Sequence, residues 1–92
     1  MTLDPVRLEK RLCDEFGGTS GGARAVARQA VDLTDSGRYE RDVGAPVTAD
    51  TVIEELSDAP GGTPPERWNW WIGSLEFAFG GYEQFGIRRY RR

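Results

Sequence analysis

The glycine-rich run Gly17–Gly22 is the segment of this sequence that comes nearest to a ligand-binding motif. Backbone amides at a helix N-terminus attract anions, so a glycine-rich loop before a helix can cradle a phosphate. A P-loop, however, needs a preceding strand, and a Lys followed by Ser or Thr after its last glycine. Here a helical pattern precedes the run, and Ala23 and Arg24 follow it. The pattern therefore favours a turn between two helices over a nucleotide site.

Side chains that usually perform catalysis or bind metals are scarce. The sequence contains one cysteine, Cys13, and no histidine, which excludes an internal disulfide and a thiolate–imidazole metal site. With no histidine to activate it, Cys13 is expected to be a small, partly buried hydrophobic residue. Glu54, Glu55 and Asp58 are expected to form the solvated face of a short helix, although carboxylates alone could bind Mg²⁺. We therefore expect no catalytic residue, no cofactor and no metal.

Aromatic residues fall on two opposite sides of the fourth predicted helix. At about 100° per residue, one sector about 80° wide contains most of its apolar side chains: Trp68, Trp71, Ile72, Leu75 and Phe79. Trp70 and Phe77 project nearly opposite that sector and lie seven residues apart, one above the other. Gly73 and Ser74 leave a shallow notch between the two rings.

This second aromatic side has three interpretations. In the first, the helix runs through the centre of the fold, and the third helix and the C-terminal segment cover Trp70 and Phe77. In the second, Trp70, Gly73, Ser74 and Phe77 form an exposed surface for a protein partner or a second copy, because interface centres are enriched in aromatic residues. In the third, the rings line a small-molecule pocket.

Charge is distributed unevenly along the chain. The net charge is −3, yet four of the twelve basic residues lie in the last five positions: Arg88, Arg89, Arg91 and Arg92. The remaining eight basic residues face fifteen acidic ones, so the body is acidic and disfavours broad contact with nucleic acid. The tail is either a solvated terminus or a contact for phosphates or an acidic protein surface, with Tyr90 available to stack on a base.

Capping residues and apolar periodicity predict four helices. Their starts are indicated by Asp4 with Pro5, by Ser20, by Thr48, and by Thr63 with Pro64 and Glu66. Glycines end three of them, after residues 16, 36 and 79. Weak alternation around Tyr39 and again around Phe85 allows two short strands that would pair as a β-ribbon.

The sequence thus predicts a mainly α, compact four-helix domain, with or without the short two-stranded ribbon. Ninety-two residues favour one domain, which we expect to span 1–87, followed by a basic tail at 88–92. The chain lacks an apolar run of the length of a membrane span, and its first residues lack a signal-peptide pattern. A soluble, cytoplasmic protein is expected.

Two stretches carry a resemblance to a known family. The run Glu66–Glu76, continued by Gly80-Gly81-Tyr82, resembles a sequence found in small uncharacterised haloarchaeal proteins. The stretch Asp35–Glu40 is similar as well, and together the two cover about half of the chain. The resemblance implies no activity, cofactor or site residue.

Two functions remain open. The first is a non-enzymatic interaction module that self-associates or binds a protein through Trp70, Gly73, Ser74 and Phe77. The second is a nucleic-acid-associated or ribosome-associated protein that uses residues 88–92. An enzyme would require carboxylates to lie in an enclosed polar cleft.

Overall fold

Helices account for most of the structure, a computed structural model that describes residues 3–87. The four longer ones are α1 (Pro5–Phe16), α2 (Ser20–Ser36), α4 (Ala49–Ser57) and α5 (Pro64–Phe79). A short helix, α3 (Arg38–Val43), and a 3₁₀ turn at Glu83–Phe85 complete the secondary structure of the described residues. The radius of gyration is 12.1 Å, close to the value of about 12 Å expected for a compact chain of this length. The mainly α fold is therefore confirmed.

Local capping explains where the helices begin. The Asp4 carboxylate accepts the Val6 amide at 3.0 Å at the start of α1, and Glu66 accepts the Thr63 amide at 2.8 Å at the start of α5. The predicted cap of α2 is wrong by one residue. Thr19 is extended, and its hydroxyl oxygen accepts the Gly22 amide at 3.0 Å, so Ser20 is already helical.

The two segments expected to allow a β-ribbon are helical instead. Residues 38–43 form α3, residues 83–85 form the 3₁₀ turn, and no strand occurs within residues 3–87. Gly37 adopts a left-handed conformation with φ 72°, which ends α2 and lets α3 start at once. Tyr39 and Phe85 are each buried in the core, so the weak alternation reflects single buried rings rather than strand faces.

The core lies where α1, α2, α4 and α5 meet. Small residues on the inner side of α2 let its neighbours approach closely: Ala23, Ala27 and Ala30 are all buried. They share the core with Leu8 and Leu12 of α1 and with three apolar residues of α4, which are Val52, Ile53 and Leu56. The apolar sector of α5 completes this core, except that Phe79 is 47% exposed at the C-terminal end of the helix. Its ring lies beside that of Tyr82, with centroids 6.2 Å apart.

Candidate interaction surface

The helical turn at residues 68–71 sends its four side chains in different directions. Trp68 is fully buried, and its indole N–H donates to the carbonyl oxygen of Phe85 at 2.8 Å. Trp71 is 3% exposed and lies edge-on to both Trp68 and Tyr39, with ring centroids 5.3 and 5.6 Å apart. Both tryptophans therefore serve the core, as edge-to-face aromatic pairs commonly do.

Asn69 holds the chain that follows α5. Its amide nitrogen donates to the carbonyl oxygen of Ile87 at 2.9 Å, and its amide oxygen accepts the Ile87 N–H at 2.7 Å. The Asn69 side-chain amide thus pairs with the backbone N–H and C=O of Ile87, as a residue of a neighbouring β-strand would. Together with Trp68 it fastens the C-terminal segment, residues 80–87, along one side of α5.

Trp70 is the tryptophan of this turn that lies outside the core. Its side chain is 40% exposed, and Phe77, two turns further along, is 95% exposed. Gly73 and Ser74 lie between the two rings and are exposed as well. We call these four residues the Trp70 face. Of the three interpretations left open by the sequence, burial of both rings within the chain's own core is therefore wrong.

The notch in the Trp70 face is open space. A Cβ atom added at Gly73 would meet no other atom within 4 Å, and this glycine has no positive φ that would require it. Glycine inside a helix destabilises it by about 1 kcal/mol relative to alanine. Nothing in the fold of residues 3–87 explains why position 73 lacks a side chain.

Ser74 has a local role. Its hydroxyl donates to the carbonyl oxygen of Trp70 at 3.1 Å, one turn earlier in the helix. Such a bond satisfies the hydroxyl within the helix and leaves the face without a strongly polar group. The Trp70 face therefore presents two aromatic rings and a backbone notch, and none of its four side chains is charged.

Hydrogen bonds to two neighbouring elements define the borders of the face. On one border, Arg67 donates to the carbonyl oxygens of Gly62 at 2.7 Å and of Leu56, at the end of α4, at 3.0 Å. On the other, Asn69 and Glu76 bind the C-terminal segment, the latter by accepting the Tyr82 amide at 2.7 Å. α5 is thus fixed on both sides while the strip between them stays open.

A polar cluster at the other end of the C-terminal segment was not predicted from the sequence. The guanidinium of Arg38 donates to the carbonyl oxygens of Gly80 and Gly81 at 3.1 and 3.2 Å and lies 5.4 Å from the Tyr82 ring centre. The Tyr82 hydroxyl donates to Asp42 at 2.8 Å. Burial, followed by the bond to Asp42, raises the pKa of Tyr82 to about 12. These groups lie about forty residues apart in the chain, which is why local patterns give no sign of them.

The other sequence candidates do not assemble into a reactive site. In the glycine-rich run, residues 17–19 form the turn between α1 and α2, with Gly18 against Pro64, and residues 20–22 already belong to α2. Cys13 is half-buried and packs against the core, as predicted. Burial and the neighbouring Asp58 and Glu54 carboxylates raise the pKa of Glu55, the behaviour of a like-charged cluster. Within residues 3–87, no acidic or cysteine side chains converge as metal ligands, and no helix could cross a lipid bilayer.

The predicted tail residues Arg88, Arg89, Tyr90, Arg91 and Arg92 lie outside the described residues, as does the predicted domain boundary after residue 87. The nucleic-acid hypothesis that depends on this tail stays a prediction.

Comparison with known proteins places the chain in a defined family. Neither the curated proteins nor the solved structures contain a significant match. A family model described as the WNWW domain matches residues 1–76, which is more than half of the chain and includes the turn Trp68-Asn69-Trp70-Trp71. The haloarchaeal source suggested by the resemblance stays a prediction. On this match, the chain belongs to the WNWW domain family.

Proposed function

We propose that this domain is a non-enzymatic interaction module that binds another protein through the Trp70 face. The observation that carries the proposal is the exposure of Trp70 and Phe77, 40% and 95%, on a helix whose other side already supplies the core. Large aromatic side chains exposed together on a small protein mark interaction surfaces more often than scattered single residues do. Tryptophan is also enriched among the residues that dominate binding energy at interfaces.

Gly73 supports the same proposal. Because a residue without a side chain lies between the two rings, the backbone of a partner can approach α5 more closely there than at any position with a Cβ. The helix gives up about 1 kcal/mol of intrinsic stability at this position, and a docking surface provides a reason for that loss. The face is also chemically suited to binding rather than catalysis, since its one hydroxyl, on Ser74, is bonded to the helix backbone.

Site-specific photo-crosslinking in the native cells tests this proposal. A photoreactive phenylalanine analogue is placed at position 77, and in a separate chain at Val6, a 73% exposed apolar residue on α1 that serves as the control. We expect position 77 to form a discrete crosslinked product that position 6 does not form. Trp70→Ala should abolish that product while the variant remains folded by circular dichroism. The same products from both positions, or none from position 77, would contradict the proposal.

A further inference from the structure

Charge divides the described chain into a neutral half and an acidic half. Residues 3–41 contain seven acidic and seven basic residues, whereas residues 42–87 contain eight acidic residues and one basic residue, Arg67. The second half supplies α4, α5 and the C-terminal segment. The Trp70 face therefore belongs to the part of the molecule that carries the whole net negative charge of residues 3–87.

Arg67, the single cation of that half, makes its contacts within the fold. Besides its bonds to Gly62 and Leu56, the Arg67 guanidinium lies 4.5 Å from the centre of the Phe16 ring. Two of the eight acids are matched by cations of the neutral half, since Asp42 pairs with Arg38 and Arg41, and Asp50 pairs with Arg11. Within residues 3–87, no such pairing offsets Glu54, Glu55 and Asp58 on the α4 side or Glu83 on the other.

The elements at the two borders of the Trp70 face carry these acids. α4 adjoins α5 through Arg67 and Leu56, and the acidic residues at positions 54, 55 and 58 lie within two residues of Leu56. Across the face, the C-terminal segment held by Asn69 carries Glu83 on an exposed turn. The Trp70 face is thus an aromatic strip between two borders, each formed by an element that carries acidic residues.

We infer that the occupant of the Trp70 face is a basic protein segment with an apolar anchor, and not a second copy of this chain. This inference rests on the proposed function. A basic side chain would meet the acidic borders and could also stack on the Trp70 ring, where a cation is attracted to the face of the indole. A symmetric dimer would place the same patch of each protomer against the other and bring acidic borders together. Nucleic acids and anionic lipids would meet the same repulsion.

Two short synthetic amphipathic peptides with the same leucine positions provide the test, one with lysine and the other with glutamate at every polar position. Each is titrated into the full chain at low ionic strength, with the Trp70 indole N–H and the Gly73 and Phe77 amides followed by NMR. We expect the lysine peptide to shift these signals and to bind at least about tenfold more tightly than the glutamate peptide. Added salt should remove most of that difference by screening the charges.

Matched variants locate the effect. Glu54→Gln combined with Glu83→Gln should weaken binding of the lysine peptide, whereas Asp35→Asn, at an exposed acid of the neutral half near the end of α2, should leave it unchanged. Trp70→Ala should reduce binding by at least about tenfold, as expected for an interface centre. A fourfold Arg→Gln variant at Arg88, Arg89, Arg91 and Arg92 tests whether the chain's own tail competes for the face.

The outcomes separate this inference from the proposed function. Equal binding of both peptides at the Trp70 face would overturn the basic partner and leave a docking surface in place. A dimer detected by sedimentation and lost in Trp70→Ala would assign the face to a second copy and overturn the inference. Binding seen only in the Arg→Gln tail variant would assign the face to residues 88–92, with the same consequence. The proposed function fails as well if three results coincide: neither peptide shifts the Trp70 signal, the chain is monomeric, and position 77 gives no crosslink.

Discussion

Replacing Gly73 by alanine should stabilise this protein, although the position lies only two residues after the Trp68-Asn69-Trp70-Trp71 turn. The new Cβ would meet no atom within 4 Å, and the backbone at this position has no positive φ. Alanine inside a helix is more favourable than glycine by about 1 kcal/mol, because glycine loses more conformational freedom on folding. For a domain of this size, about 1 kcal/mol corresponds to an increase in Tm of about 4–8 °C.

The same change at Gly37 is the matched control. A Cβ there also meets nothing within 4 Å, so the two sites differ in backbone conformation rather than in space. Gly37 has φ 72°, a left-handed conformation that disfavours a residue with a Cβ by about 1–2 kcal/mol. Gly37→Ala should therefore lower Tm, in the opposite direction to Gly73→Ala.

Thermal denaturation followed by circular dichroism at 222 nm, a wavelength dominated by helix, measures both changes. An unchanged or lower Tm for Gly73→Ala would refute the reasoning, because it would mean that position 73 already has a structural contact or a strained backbone. If Tm rises, the absence of a side chain at this position needs an explanation outside the folded domain. The docking surface supplies one, and Gly73→Ala should then weaken binding of the lysine peptide while it stabilises the protein.

Two further substitutions test the attachment of the C-terminal segment. Trp68→Phe removes the indole donor from the buried carbonyl oxygen of Phe85 and should lower the free energy of unfolding by about 1–3 kcal/mol in urea titrations. In the Trp70→Phe variant, whose altered ring is exposed, the free energy of unfolding should stay within about 0.5 kcal/mol of wild type. Equal losses of stability in the two variants would contradict a core role for Trp68 and a surface role for Trp70. Tyr82→Phe should reshape the alkaline stability profile, because the pKa of Tyr82 is raised from 10.0 to about 12 in the folded protein. The neutral phenol therefore stabilises the fold fully below about pH 10, and this contribution disappears as the pH rises towards 12. The variant should be less stable at neutral pH and should lose less stability between pH 10 and 12. Part of the remaining loss is due to Tyr39, because burial raises its pKa as well. A variant with the same pH profile as wild type would contradict the Asp42 contact.

Most of the helical framework could be read from the sequence because the signals that determine it are local. Asp4 with Pro5, and Thr63 with Pro64 and Glu66, place two helix starts within a few residues, and the caps are satisfied inside the same turn. The opposite projection of Trp68 and Trp70 also followed from helical geometry alone. Residues 38–43 were harder, because one buried aromatic in a short helix resembles one face of a short strand.

The sequence by itself determined that α5 has two aromatic sides, since side-chain direction along a helix depends only on residue spacing. Only the tertiary structure decided which side is covered, because that depends on where distant segments pack. Asn69 binds Ile87, and Arg38 binds Gly80 and Gly81, across separations of 18 and about 40 residues. These contacts hold the C-terminal segment beside α5 instead of over Trp70 and Phe77. No local pattern encodes that placement, so the exposure of the two rings is a property of the folded chain.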